Sequence, residues 1–188
     1  TNPSQIRYTN LEGFSVSQGV SLNVDAMKQG FKLNAGVTAM NVFSEQQGVR
    51  ERQPLTEQFS GTWSIGYVFD KAGLSIDYTG YIYSPMDLPT LTTEDFVDPR
   101  PAQSPWYSIQ NLQCTKRFDN GMTCYAGAKN LLNWTPWDHL PPGVSYMGNT
   151  QDPFEQNTPP GELVFDPAYV YGPNQGIRGF VGLRWALN

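Results

Sequence analysis

Residues 20–39, VSLNVDAMKQGFKLNAGVTA, carry the pattern that decides the fold. Before the KQG at 28–30, Val20, Leu22, Val24 and Ala26 alternate with Ser21, Asn23 and Asp25. After it, Phe31, Leu33, Ala35, Val37 and Ala39 alternate with Lys32, Asn34, Gly36 and Thr38. Period-two alternation describes a β-strand with one apolar and one polar face, and a glycine-bearing turn between two such runs describes a hairpin. The pattern recurs along the chain. Trp63, Ile65, Tyr67 and Phe69 lead into DKAG (70–73), and Leu74, Ile76 and Tyr78 follow it. A third hairpin turns at DNG (119–121), with Leu112, Cys114 and Phe118 before it and Met122, Cys124, Ala126 and Ala128 after it. The last run, GIRGFVGLRWAL (176–187), sets Val181, Leu183, Trp185 and Leu187 against Arg178, Gly182 and Arg184. About seven strands result.

Composition agrees with β-structure. The 188 residues suit one domain, charged residues are only 15%, aromatics reach 13%, and Gly (18) and Pro (15) are abundant. A coiled coil or helical bundle is rich in Ala, Glu, Lys, Leu and Arg, and a disordered chain is poor in large aromatics, so both classes are excluded. The formal charge is −5 with no basic run, which removes the electrostatic footprint of a nucleic-acid binder. Apolar stretches fall far short of the ~20 residues a spanning helix needs. The mean hydropathy of −0.44 does not bear on β-barrels, where lipid-facing residues occupy every second position. The start, TNPSQIRYTN, has neither a charged n-region nor an apolar h-region, so it is expected to be mature or internal to a longer chain.

The connections add direction. Tight turns join the hairpins, whereas residues 45–56, 87–104 and 135–175 are long, Pro-rich and acidic. Short turns at one end and long loops at the other are the layout of an outer-membrane barrel. Strands read as roughly 9–13 residues fit the ~9–11 that a membrane strand needs better than the ~5–6 of a soluble one. The expectation is an all-β fold: an antiparallel transmembrane β-barrel, of which residues 1–188 supply about seven C-terminal strands. A soluble β-sandwich with one wet face shares the alternation. With the short turns in the periplasm, the chain starts outside, ends inside and has an odd strand count. Closure in lipid requires every edge to be paired, so this is expected to be part of a larger barrel.

Two segments support a family reading: YSIQNLQCTKRFDNGMTCYAGAKNLLNW (107–134) and FDPAYVYGPNQGIRGFVGLRWAL (165–187). Together with the hairpin at 19–40, they resemble the C-terminal part of TonB-dependent outer-membrane receptors of the Bacteroidetes type. In place of the family's usual terminal aromatic residue, the sequence ends Trp185-Ala186-Leu187-Asn188. The resemblance implies a 22-stranded barrel filled by an N-terminal plug, in the bacterial outer membrane. It also implies coupling to TonB through a part of the receptor not in this sequence, contact with lipid and lipopolysaccharide, and a surface lipoprotein partner. The implied function is energised uptake of a scarce, bulky nutrient such as a siderophore, haem, cobalamin, a metal complex or an oligosaccharide. A passive porin or structural barrel subunit, and a soluble carbohydrate-binding sandwich, are the alternatives.

No catalytic constellation is legible: there is no G-x-S-x-G elbow, Walker A, dinucleotide fingerprint or zinc spacing. No enzyme activity, cofactor or metal is expected. Ligand contacts are expected from the outer loops. Trp137, Asp138, His139 and Tyr146 fall together in the 135–175 loop, where aromatic faces with a few polar groups suit a sugar, a siderophore or a corrin. Arg50 and Arg52 are candidates for an anionic ligand or lipopolysaccharide phosphate, with a solvated loop charge as the plainer account. Trp134 directly ends a strand and is expected in the aromatic girdle of the membrane interface. Asp166 and Tyr171 read as structural parts of a Pro-bounded turn. The spacing of Cys114 and Cys124 admits a disulfide, but two cysteines make no framework, and both suit the apolar face of their strands.

Overall fold

The structure, a computed structural model, describes residues 13–90, 97–141 and 170–185. Eight strands form one antiparallel sheet: β1 (Gly13–Lys28), β2 (Phe31–Gln46), β3 (Val49–Arg52), β4 (Phe59–Phe69), β5 (Leu74–Tyr83), β6 (Tyr107–Arg117), β7 (Met122–Lys129) and β8 (Arg178–Trp185). Their order is β1-β2-β4-β5-β6-β7-β8, a seven-strand meander, with the short β3 paired to the far end of β2. The sheet is open, with β1 and β8 as its edges.

The expected turns stand where the sequence put them. Gln29 (φ 48°) and Gly30 (φ 84°) take the left-handed pair that a two-residue hairpin turn needs. Gly73 (φ 56°) closes the β4–β5 turn. Its carbonyl accepts the Arg117 amide at 2.7 Å, so the turn also fastens the end of β6. The fold departs from expectation at the other end. β1 and β2 run 16 residues each, well past the alternating stretch, and β3 lies inside the segment read as a loop. Beyond Ala39 the alternation breaks down, with Met40 and Val42 on one face and Asn41 and Glu45 on the other. Backbone pairing with β1 and β3 holds that part of the strand, which side-chain periodicity does not report.

Register places the alternating residues in continuous rows. One row runs Phe31, Tyr67, Ile76, Cys114, Ala126 and Val181, and the next runs Ala26, Leu33, Ile65, Tyr78, Leu112 and Ala128. The opposite face carries polar rows, among them Asp25, Asn34, Ser64, Thr79 and Asn111. There Asn34 Nδ2 donates to Asp25 Oδ1 (2.5 Å) and Ser21 and Thr38 share a hydroxyl bond (2.9 Å). No second layer covers the apolar face among the described residues: Val181 is 83% exposed and Leu22 64%. Cys114 and Cys124 are free and lie on that face. They are diagonal neighbours, since Cys114 pairs with Ala126 and Cys124 with Lys116. Diagonal residues sit ~7–8 Å apart, which is too far for a disulfide without backbone movement.

Relative to the Phe31–Val181 row, the turn tips at Gln29–Gly30, Asp70–Gly73 and Phe118–Gly121 step progressively away, by about one residue per strand. With ~3.3 Å per residue and ~4.8 Å between strands, the turn tips lie on a line inclined by about 35° to the strand normal. Three cross-strand glycine–aromatic pairs fit side chains into the sheet: Gly80 opposite Trp63, Gly182 opposite Tyr125, and Gly127 opposite Phe180. A Cβ at Gly80 would run into the Trp63 ring and come within 3.0 Å of the Ile109 carbonyl. Gly80→Val is therefore expected to displace Trp63 and destabilise the sheet by roughly 1–3 kcal/mol, the usual cost of overpacking. The check is a lower urea midpoint together with a changed near-ultraviolet dichroism.

Candidate functional site

The described core sits at the loop end of the polar face. Tyr83 pairs across strands with Tyr107, and Tyr81 with Ile109, so β5 and β6 present one aromatic wall. Met86, Tyr107 and Ile109 are buried there, with Tyr81, Tyr83, Trp134 and Tyr171 packed around them. Trp134 stacks on Tyr107 with ring centroids 4.3 Å apart and planes 13° apart, and Tyr171 meets both rings edge-on. Tyr107 donates its hydroxyl to the Tyr171 carbonyl at 2.8 Å. Trp134 thus packs against the polar face, which corrects the expectation that it joins an apolar-face girdle. Its ring packs on Tyr107 and Tyr171 and lies close against Gly172.

Two asparagines aim this wall. Asn130 and Asn133 take left-handed backbone (φ 53° and 52°), a conformation asparagine tolerates better than most residues. Asn130 is almost fully buried, and its side chain is saturated. Its Nδ2 donates to the carbonyls of Trp134 (2.7 Å) and Gln175 (3.1 Å), and its Oδ1 accepts the Trp134 amide (3.0 Å). Its own amide donates to Asn111 Oδ1 (3.1 Å). Asn133 Oδ1 accepts the Ile177 amide at 2.8 Å. The KNLLN stretch therefore ties the end of β7 to the return segment ahead of β8. Ser84 and Ser104 brace the neighbouring β5–β6 connection, Ser84 Oγ accepting the Gln58 and Phe59 amides and Ser104 Oγ the Met86 amide. Arg100 is buried against Asp98 in a forked ion pair (2.6 Å).

Below the aromatic wall, still on the polar face, lies a groove of about 450 Å³ crossing β5 to β8. Asn111 and Gln113 from β6, Lys129 at the end of β7, and Arg178 and Phe180 from β8 line it. A volume of this size suits a small organic ligand.

The residues singled out from sequence do not converge on one site. Trp137, Asp138 and His139 belong to a single 3₁₀ turn, Pro136–His139, beside Trp134. Asp138 Oδ2 accepts the Thr135 hydroxyl (2.8 Å), and the His139 ring lies 5.4 Å from that of Trp134. Tyr146 lies outside the described residues, as does Asp166. Arg50 and Arg52 stand on β3, beside β2 rather than with the turn. Both are engaged: Arg50 pairs with Glu45 (3.2 Å) and covers the Phe43 ring at 4.1 Å, and Arg52 pairs with Asp87 (3.3 Å). Local carboxylates neutralise them, which favours the plainer account of loop charges. Sequence reasoning missed Lys129 and Asn130 as site residues and placed Arg178 only as a polar-face residue. The asparagine pair in KNLLN was the available signal for a pinned turn. The Lys129–Arg178 pairing needs the register.

Among the described residues, no group of three or more His, Cys, Asp or Glu is placed to hold a metal ion. Compared with protein-family models, curated proteins and solved structures, the chain finds no match.

Asn130→Ala removes three side-chain hydrogen bonds from a buried position and an asparagine from left-handed backbone. It should cost about 2–4 kcal/mol in urea unfolding, and Asn130→Asp should cost at least as much, because it buries a carboxylate against the Trp134 and Gln175 carbonyls. Burial pushes the Tyr171 phenol from its ordinary value near 10 up to about 12. The raised value means that the packing it reports is fully present below about pH 10 and is lost as pH rises through about 12. An ultraviolet absorbance titration should show a late step near pH 12 that Tyr171→Phe deletes.

Proposed function

We propose that this chain is the C-terminal barrel wall of a TonB-dependent outer-membrane receptor that takes up a bulky, scarce nutrient. The observation that carries the membrane reading is the single apolar face, continuous over seven strands and uncovered among the described residues. At ~4.8 Å per strand it is roughly 29 Å wide, and the span of β4 carries it roughly 33 Å along the strand, an area on the order of 1,000 Å². Soluble monomers keep their largest apolar patch to ~300–600 Å². In this reading that face meets lipid. The polar face, with Asp25, Lys32, Asn34, Asp77 and Arg184, lines a watery lumen, because an Arg or Lys at the bilayer midplane costs ~2–4 kcal/mol.

Two further features support a larger barrel. The drift of the turn tips matches the 35–45° strand tilt that closure requires. In a meander of seven strands β1 and β8 run in the same direction, so antiparallel closure takes additional strands. The uptake half of the reading rests on the resemblance carried by residues 107–134 and 165–187. By that resemblance, the plug and the TonB contact belong to another part of the receptor, and the tight turns face the periplasm. The aromatic wall and the groove below it are then the part of this chain a nutrient would pass.

The native cysteines test the membrane half in outer-membrane vesicles. Cys114 and Cys124 should react with a lipid-soluble maleimide and resist a charged, membrane-impermeant one. A cysteine at Thr79 (Thr79→Cys, with both native cysteines changed to Ser) should react with the charged reagent. Equal labelling of Cys114 and Thr79→Cys by the charged reagent would overturn the reading. For the uptake half, the purified receptor should be silent in a planar bilayer, where steady conductance would identify a passive porin instead.

A further inference from the structure

Lys129 and Arg178 are directly paired across β7 and β8, and both project into the groove on the polar face. Directly opposed residues place their Cβ atoms ~4.5–5.5 Å apart, and like charges in that position repel. Among the described residues, neither cation has a carboxylate within ion-pair distance, although Arg50, Arg52 and Arg100 each have one. Asp77 lines the same groove, but from the nearer cation, Lys129, it stands two strands across and two residues along, about 12 Å through the sheet, and it forms no ion pair with either cation. The Lys129 ammonium lies 5.8 Å from the Phe180 ring centre, a cation–π contact at the outer edge of the range, which brings no countercharge to the pair. The sheet therefore holds two unneutralised cations together at the edge of a cavity of about 450 Å³.

We infer that Lys129 and Arg178 form an anion-binding fork, and that the groove takes an organic carboxylate with a ring or apolar body. A guanidinium presents a planar pair of donors that matches a carboxylate, and the ammonium beside it adds a second charge. Phe180 supplies an apolar wall for the body of the ligand, and the Asn111 and Gln113 amides supply neutral polar contacts. The inference deepens the uptake reading and rests on it for the polar face being a watered lumen wall. The same chemistry has two sources: a free ligand, or a carboxylate side chain from another part of the receptor.

The test uses the full-length receptor in detergent, with benzoate as the probe and benzyl alcohol as the neutral control. Saturable benzoate binding by calorimetry is expected, with no binding of the alcohol. Lys129→Gln and Arg178→Gln should each weaken benzoate at least fivefold, and the double variant should abolish it. Thermal midpoints separate the sources. With a free ligand as the natural anion, removing one of two repelling cations leaves the unliganded midpoint unchanged or raises it. With an internal carboxylate as partner, each variant lowers the midpoint and wild type binds benzoate poorly, which confirms the fork but assigns it to an internal contact. Benzoate binding that survives the double variant, or absent binding with a midpoint that does not fall, overturns the proposal. None of these outcomes depends on the cysteine labelling, so the two readings fail separately.

Discussion

The structure depends on strand register. A β-strand turns successive side chains to opposite faces, so a slip of one residue between two strands would move a whole apolar set to the polar side. Three tight turns, at Gln29–Gly30, Asp70–Gly73 and Phe118–Gly121, set that register for three hairpins. The pairings between hairpins then follow from matching apolar to apolar: Phe31 with Tyr67, Ile76 with Cys114, Ala126 with Val181. Everything proposed about lipid and lumen presupposes this one constraint.

The long loops answer to a different force. Apart from β3 and the Asp87–Gln103 bridge, their described residues have no ladder to follow and are held by buried polar side chains and by aromatic stacking. Asn130 uses every side-chain donor and acceptor it has, and Trp134 lies flat on Tyr107 as a result. The return segment through Tyr171 and Gln175 docks on that platform and delivers Arg178 opposite Lys129. A left-handed asparagine at the end of β7 thus seats the return segment, and the β7–β8 register that pairs Ala126 with Val181 sets Lys129 opposite Arg178.

The fold was legible to the extent that side chains alternate. The hairpins about KQG, DKAG and DNG are written in the order of Val, Leu and Ala against Ser, Asn and Asp, and the sheet reproduces them. The loop-end halves of β1 and β2, and all of β3, were not legible. Past Ala39, Met40, Asn41 and Val42 break the period, and backbone pairing to β1 and β3, with Arg50 over Phe43, keeps the chain extended. The candidate site was less legible than the fold. Trp137, Asp138 and His139 looked like a cluster because they are adjacent in sequence, and they form one short turn. Arg50 and Arg52 looked available because nothing in sequence announces Glu45 or Asp87 as partners.

The sequence by itself determined that the chain is antiparallel β with one apolar and one polar face, because alternation is a local property that each strand carries alone. Only the tertiary structure decided which residues share a row, which cations are neutralised and which are not, and that Trp134 turns to the polar side. Those outcomes depend on register between strands distant in sequence and on a loop pinned by Asn130 and Asn133. Such long-range pairings leave no periodic trace in the chain that makes them.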